Sequence, residues 1–258
     1  MISFVTANYV AREVGYAMHG WGHGDRTTNE AFGPLDTYQA KLDALLGDVK
    51  ALGFDAVDLW GAHLSPDWAT DEHVELAVDT LKRHGLTVTT YATWIGPNNV
   101  ERSCELTLAL GADVIGGGFS GDPELLAPVL EKYGVRLGIE NHPEKTPADV
   151  LAKLAAGGPM FGATIDTGWW GTQGYDAARA IEELDGHILH VHLKDVLALD
   201  EPHETCRWGE GIVPIEECVR TLQRIGYAGS IAVEHEPETF DPSDDIRAMR
   251  EQLEAWLA

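Results

Sequence analysis

Short apolar or β-branched runs alternate along this chain with amphipathic stretches of helical period, and the alternation repeats eight times. Strands are expected at 2–9, 55–60, 86–93, 113–118, 135–142, 161–166, 187–194 and 230–236. Helices are expected at about 37–52, 72–84, 98–110, 123–132, 147–156, 175–184, 213–225 and 243–257. Thr146 followed by Pro147 reads as a helix start. Ile246, Met249, Leu253 and Trp256 share one side of the last helix. Eight strand–helix pairs in 258 residues fit the length of an α/β fold closed as a single (β/α)8 TIM barrel. An open doubly wound sheet is the competing fold, but no GxGxxG follows the first strand. With no low-complexity tract or Pro-rich linker, residues 1–258 are expected to form one domain. The longest loops, 10–36 and 195–212, follow strands 1 and 7, which places both on the C-terminal, active-site face of a barrel.

Composition narrows the function. Eighteen basic residues against 42 acidic give a net charge of −24. That repels nucleic acid and anionic membrane, since both attractions depend on Lys and Arg meeting phosphate. No run is long and apolar enough to span a membrane, and the N-terminus lacks the features of a signal peptide. Three scattered cysteines, Cys104, Cys206 and Cys218, suit a reducing cytoplasm better than a disulfide scaffold.

The chemistry gathers at strand C-termini in the second half of the chain. Strand 5 ends with Glu140 and His142, and strand 6 ends with Asp166. Strand 7 carries His190, His192 and Lys194, and strand 8 carries Glu234 and His235. Residues two apart on a strand share a face, so these groups converge at the barrel mouth if those faces look inward. Burying them unpaired is costly, whereas a cation neutralises them. Two Glu, one Asp and one His offer three carboxylates and one imidazole, a set suited to a hard or borderline divalent ion such as Mn2+, Mg2+ or Co2+. Each residue alone reads more readily as a helix cap or a hydrogen-bonded core histidine than as a metal ligand. Four consecutive strands delivering such a residue at the same end are harder to explain that way.

With "IENH", "DTG", "HVHLKD", "GEG" and "VEHE" in this order, the chain resembles the xylose-isomerase-like TIM barrels, the sugar isomerase and epimerase family. The resemblance implies one divalent metal, Mn2+ first and Mg2+, Co2+ or Zn2+ after it, held by Glu140, Asp166, His192 and Glu234. It implies that Glu140 and Glu234 also move the proton. Trp169 stands where many relatives carry a histidine that ligates a further metal, which argues against a three-metal, endonuclease-like nuclease. Thr146 stands where the epimerases carry a second substrate-side glutamate.

His142, Lys194, His63, Trp94, Trp169, Trp208 and Arg207 are the expected substrate contacts. Tryptophan is abundant after strand ends (Trp60, Trp94, Trp169, Trp170, Trp208), with Trp21 in the first long loop. Flat aromatic faces pack well on sugar C–H faces, and the same residues also suit a plugged barrel mouth or a homo-oligomer contact. Few cations lie near the mouth, so a neutral carbohydrate is expected. The leading expectation is an isomerase or epimerase acting by proton abstraction beside a metal-bound carbonyl. The alternatives are a lyase cleaving 3-keto O- or C-glycosides by β-elimination, a nuclease, and a non-catalytic sugar-binding relative.

Overall fold

The computed structural model describes residues 1–199 and 204–258. Eight parallel strands close into a barrel. They are β1 (Ile2–Val5), β2 (Ala56–Trp60), β3 (Thr87–Ala92), β4 (Val114–Gly117), β5 (Arg136–Glu140), β6 (Phe161–Asp166), β7 (Ile188–Leu193) and β8 (Ile231–Val233). Neighbours in the barrel follow the chain, and closure comes from β1 pairing with β8 through Ile2 opposite Ile231 and Phe4 opposite Val233.

The two faces of the strands carry different chemistry. Leu137 and Ile139 of β5, Ile165 of β6, and Val191 and Leu193 of β7 are fully buried in the apolar cluster. By strand alternation they face the surrounding helices, while Thr164, Asp166, His190 and His192 face the barrel axis. The axis is tightly filled, and a Cβ at Gly138 would collide with the Thr164 side chain.

The outer layer contains α2 (Leu35–Ala51), α3 (Asp71–His84), α4 (Val100–Ala109), α5 (Pro123–Tyr133), α6 (Pro147–Gly157), α8 (Ala177–Glu183), α9 (Ile215–Arg224) and α10 (Ser243–Leu257). Helix α6 starts as the sequence suggests, with a reciprocal box between Thr146 and Asp149 and Pro147 at its first turn. Ile246, Met249 and Leu253 of α10 are buried.

Three features depart from the sequence reading. The stretch 10–36, expected as loop, contains the twelve-residue helix α1 (Trp21–Phe32). A further short helix, α7 (Thr167–Thr172), follows β6 directly, with the Asp166 side chain as its cap. The expected loop 195–212 carries a small antiparallel ribbon of Asp195–Val196 with Thr205–Cys206, and its residues 200–203 lie outside the described residues. No helix among the described residues is long and apolar enough to cross a membrane. All three cysteines are buried and unpaired.

Candidate metal centre

At the C-terminal end of the barrel, two asparagine clamps fix the strand tips that carry the ionisable groups. The Asn141 amide donates to the Asp166 carbonyl at 3.0 Å and accepts from the Asp166 N–H at 2.7 Å, tying the end of β5 to that of β6. The Asn8 amide donates to the Val233 carbonyl at 2.9 Å and accepts from the His235 N–H at 2.8 Å, tying the chain after β1 to that after β8. Thr167 ties the end of β7, accepting the Lys194 N–H at 2.9 Å and donating to the Lys194 carbonyl at 2.8 Å. Glu140, Asp166, His192, Lys194 and Glu234 therefore stand on rigid supports rather than on free loops.

Their side chains form three overlapping acid–histidine clusters, each with its potential ligand atoms within 4.8 Å of one another. Glu140, His192 and Glu234 make the first. Glu140, His142 and Asp166 make the second, and Asp58, His190 and His192 the third. His192 is the hinge of the arrangement. Its Nδ1 lies 2.9 Å from Glu140 Oε1 and 3.3 Å from Glu234 Oε2, while its Nε2 donates to Asp58 Oδ2 at 2.7 Å. Asp166 turns the other way. Its Oδ2 accepts from His142 Nε2 at 3.0 Å and from Lys194 Nζ at 3.2 Å, and its Oδ1 caps α7 through the Trp169 N–H at 3.0 Å.

Lys194 is buried, and its ammonium lies within 3.2 Å of three carboxylates: Asp166, Glu234 at 3.0 Å and Glu236 at 3.0 Å. Gly168 makes room for the Lys194 stem, since a Cβ there would sit 2.6 Å from Lys194 Cγ.

The electrostatics follow from this crowding. Burial alone would lower the His192 pKa, but Glu234, Asp58 and Glu140 raise it well above the ordinary value. Burial likewise opposes the Lys194 charge, and the surrounding carboxylates outweigh it. His142 is raised by Glu140 and Asp166 against the burial effect. Burial pushes the Asp166 carboxyl up, yet Lys194 and His142 bring it far below the usual carboxylate range. Glu236 goes the opposite way, raised by burial more than Lys194 lowers it. Glu234 Oε2 is buried with no hydrogen bond, although it points at the His192 imidazole. An orphaned carboxylate oxygen beside Glu140 Oε1 and an imidazole nitrogen is a donor set that fits a divalent cation.

This centre forms one end of a cavity of about 770 Å3. Trp21, Trp60, Trp68, Trp94 and Trp169 line it, and Trp94 is 58% exposed. The Trp94 ring lies so close over Gly118 that any Cβ there would collide with it. Helix α1 contributes Trp21, Asp25 and Asn29, which puts the 10–36 segment on the same face as the acid–histidine clusters.

Of the substrate contacts expected from sequence, His142, Lys194, Trp94 and Trp169 line this cavity, and His63, Trp208 and Arg207 do not. His63 is buried against the edges of Phe32 and Trp60, bonds Thr6 Oγ1 at 3.1 Å, and lines a separate cavity with Tyr9 and Arg12. Trp208 is 4% exposed and stacks on Trp256 of α10, which draws it into the outer layer. Arg207 points to Asp245 at 3.9 Å. Sequence reasoning also missed Asp58, Glu236 and Asn141. Glu236 was findable, since it stands two residues beyond Glu234 in "VEHE" followed by Pro.

Residues 46–257 match the family profile described as xylose isomerase-like TIM barrel. A stretch of 101 residues is 31% identical to L-ribulose-5-phosphate 3-epimerase UlaE of Escherichia coli, covering 39% of this chain and 35% of that relative's length. Among solved structures, the chain superimposes on the probable 3-DHS dehydratase AsbF of Bacillus anthracis with a TM-score of 0.72 at 16% identity, covering 98% of both chains. It superimposes on a D-allulose 3-epimerase of Methylomonas sp. with a TM-score of 0.69 at 16% identity, covering 98% and 97%.

Proposed function

Because the chain belongs to the xylose isomerase-like TIM barrel family, we propose that it is a cytoplasmic, divalent-cation-dependent sugar isomerase or epimerase. Its substrate in this reading is an uncharged sugar or keto-sugar. The observation that carries the reading is the placement of Glu140 and Glu234, both within 3.3 Å of His192 Nδ1, at the end of an aromatic-lined cavity. Glu140, Asp166, His192 and Glu234 would hold the cation. Mn2+ is the first candidate, and Mg2+, Co2+ or Zn2+ follow. When bound, such an ion polarises a carbonyl and an adjacent hydroxyl and so acidifies the carbon proton between them.

This chain's own residues do the rest. Glu140 or Glu234 removes the carbon proton as general base, and the other returns one as acid. Lys194 keeps the neighbouring carboxylates in place and supplies positive charge beside the developing enolate. The tryptophans stack on the sugar faces and exclude water.

Cavity charge supports the neutral substrate. Among the described lining residues, Lys194 is the one with a permanent cation, and three carboxylates already hold it. A phosphate, as in the substrate that the UlaE name specifies, would find no free partner there.

A second reading keeps the same first step. With a 3-keto glycoside, removal of the proton at C2 expels the C1 substituent, giving a lyase. The cavity size favours giving it weight, because about 770 Å3 lies in the range that holds a drug-sized ligand.

One experiment separates the outcomes. Candidate free ketoses, their phosphates and 3-keto glycosides are incubated with Mn2+-loaded protein in deuterated water. Deuterium beside the carbonyl of a neutral ketose supports the first reading, and release of the aglycone supports the second. Conversion confined to sugar phosphates, or activity unaffected by chelator and by added Mn2+, would overturn the proposal.

A further inference from the structure

A carboxylate outside the proposed ligand set lies inside the barrel, below the candidate centre. Asp58 is fully buried on β2, and its Oδ2 receives two imidazole N–H groups, from His190 Nε2 at 2.9 Å and from His192 Nε2 at 2.7 Å. The two rings stand nearly perpendicular, 4.9 Å apart. His190 is anchored at its far side, with Nδ1 2.7 Å from Ser230 Oγ.

The backbone is bent to make this meeting. The β2–β3 pairing slips at Asp58: Val57 faces Val88 and Asp58 faces Thr90, leaving Thr89 over. The β6–β7 pairing slips at His190: Ala163 faces Ile188 and Thr164 faces His190, leaving Leu189 over. Such one-residue irregularities re-aim side chains in a sheet. Two of them flank the two residues that face each other across the barrel.

The hydrogen-bond direction is fixed by chemistry. An ionised carboxylate only accepts, so both Nε2 atoms carry protons. In its neutral form His192 then has its lone pair on Nδ1, the nitrogen that faces Glu140 and Glu234. We infer that Asp58 is a positioning residue that aims the His192 Nδ1 lone pair at a divalent cation held by Glu140 and Glu234. It acts through His192 and touches no substrate, since it does not line the cavity. The inference rests on the metal-dependent reading above. Removing Asp58 frees the imidazole to carry its proton on Nδ1, where it repels a cation. Partners of this kind typically change metal affinity by about 10- to 100-fold.

The test is Asp58→Asn, titrated with Mn2+ by calorimetry after chelator treatment. The amide keeps the volume of the carboxylate but cannot accept both N–H groups on a charged oxygen. A Kd weakened about 10- to 100-fold, with an unchanged circular dichroism spectrum, is expected. The signature that a merely structural role would not give is the tautomer. In wild-type protein loaded with Zn2+, histidine 15N shifts should show His192 ligating through Nδ1 with an exchange-protected proton on Nε2. This second measurement needs no variant, so it decides the matter even if Asp58→Asn fails to fold. Ligation through Nε2, or an unchanged Kd in the variant, overturns the role of Asp58 and leaves the metal reading standing. A wild-type chain that takes up no divalent cation overturns both.

Discussion

Glu140 and Glu234 are the residues on which the proposed chemistry turns. Glu→Gln at either keeps size and a ligating oxygen while removing the proton acceptor. Turnover should fall about 100- to 10,000-fold at each, with substrate affinity falling far less. Near-normal turnover in both variants, with cation bound, would sink the two-glutamate mechanism. Lys194 makes a separate prediction. Lys194→Met leaves Asp166, Glu234 and Glu236 buried without their shared cation. Breaking a buried ion group in this way costs about 3–5 kcal/mol. Urea unfolding of the metal-free variant should show that loss, and added Mn2+ should recover part of it. A stable, cation-indifferent variant would mean that the carboxylates simply protonate.

The sequence showed Glu140, Asp166, His192 and Glu234 as strand-end residues because strand alternation and end position are local properties. Asp58 was not legible, since an aspartate inside "DAVDLW" reads as a solvent-facing strand residue. Its partners His190 and His192 meet it only through barrel closure and the two register slips.

At the scale of elements, the eight strands and the eight outer helices were readable, and the structure inside the long loops was not. The eight strands were located by their apolar and β-branched runs, with ends that the structure trims by a few residues. Helix α1 escaped notice because "WGHGDRTTNEAF" contains two glycines and no sustained apolar period. Tertiary contact overrides that weakness: Gly24 packs where a Cβ would sit 2.5 Å from Met18 Sδ. Trp208 was misjudged for a similar reason. Its place after β7 pointed to the mouth, but Trp256 from the last helix captures it.

The segment around Trp208 has its own organiser. The fully buried Asp195 carboxylate accepts from the N–H groups of Val196 at 2.9 Å, Gly209 at 3.0 Å, Gly211 at 3.1 Å and Val213 at 3.0 Å. Asp195→Ala strands these amides, and each one left buried and unpaired costs about 1–3 kcal/mol. Amide exchange at Gly209, Gly211 and Val213 should accelerate sharply, while exchange in β5 and β6 should not. Uniform acceleration across the barrel would mean that Asp195 supports the whole fold and not this segment.

For the whole molecule, buried histidines set an acid limit on stability. Burial pushes the His63 imidazole down to about 3 from an ordinary 6.5. The unfolded chain therefore takes up a proton near pH 6.5 that the folded chain refuses until about pH 3. The stabilisation is complete above 6.5 and is lost as pH falls through that window, at up to about 1.4 kcal/mol per pH unit. Urea midpoints at pH 7 and pH 5 should differ less in His63→Gln than in wild type, and equal differences would refute this source.

Closure of the barrel has a kinetic consequence. Pairing β1 with β8 joins the two ends of the barrel, whereas every other strand pair of the barrel forms between successive β/α units. Long-range pairing carries the largest loop-closure entropy and tends to form late. Glu234 lies one residue beyond β8, which also pairs with β7. Asn8 after β1, however, clamps the Val233 carbonyl and the His235 N–H on either side of it, so Glu234 takes its fixed place beside Glu140 and His192 when that last seam has zipped. Cation uptake thereby becomes a clock for the final folding step: during refolding it should lag behind the recovery of the far-ultraviolet circular dichroism signal, which reports the β/α units themselves.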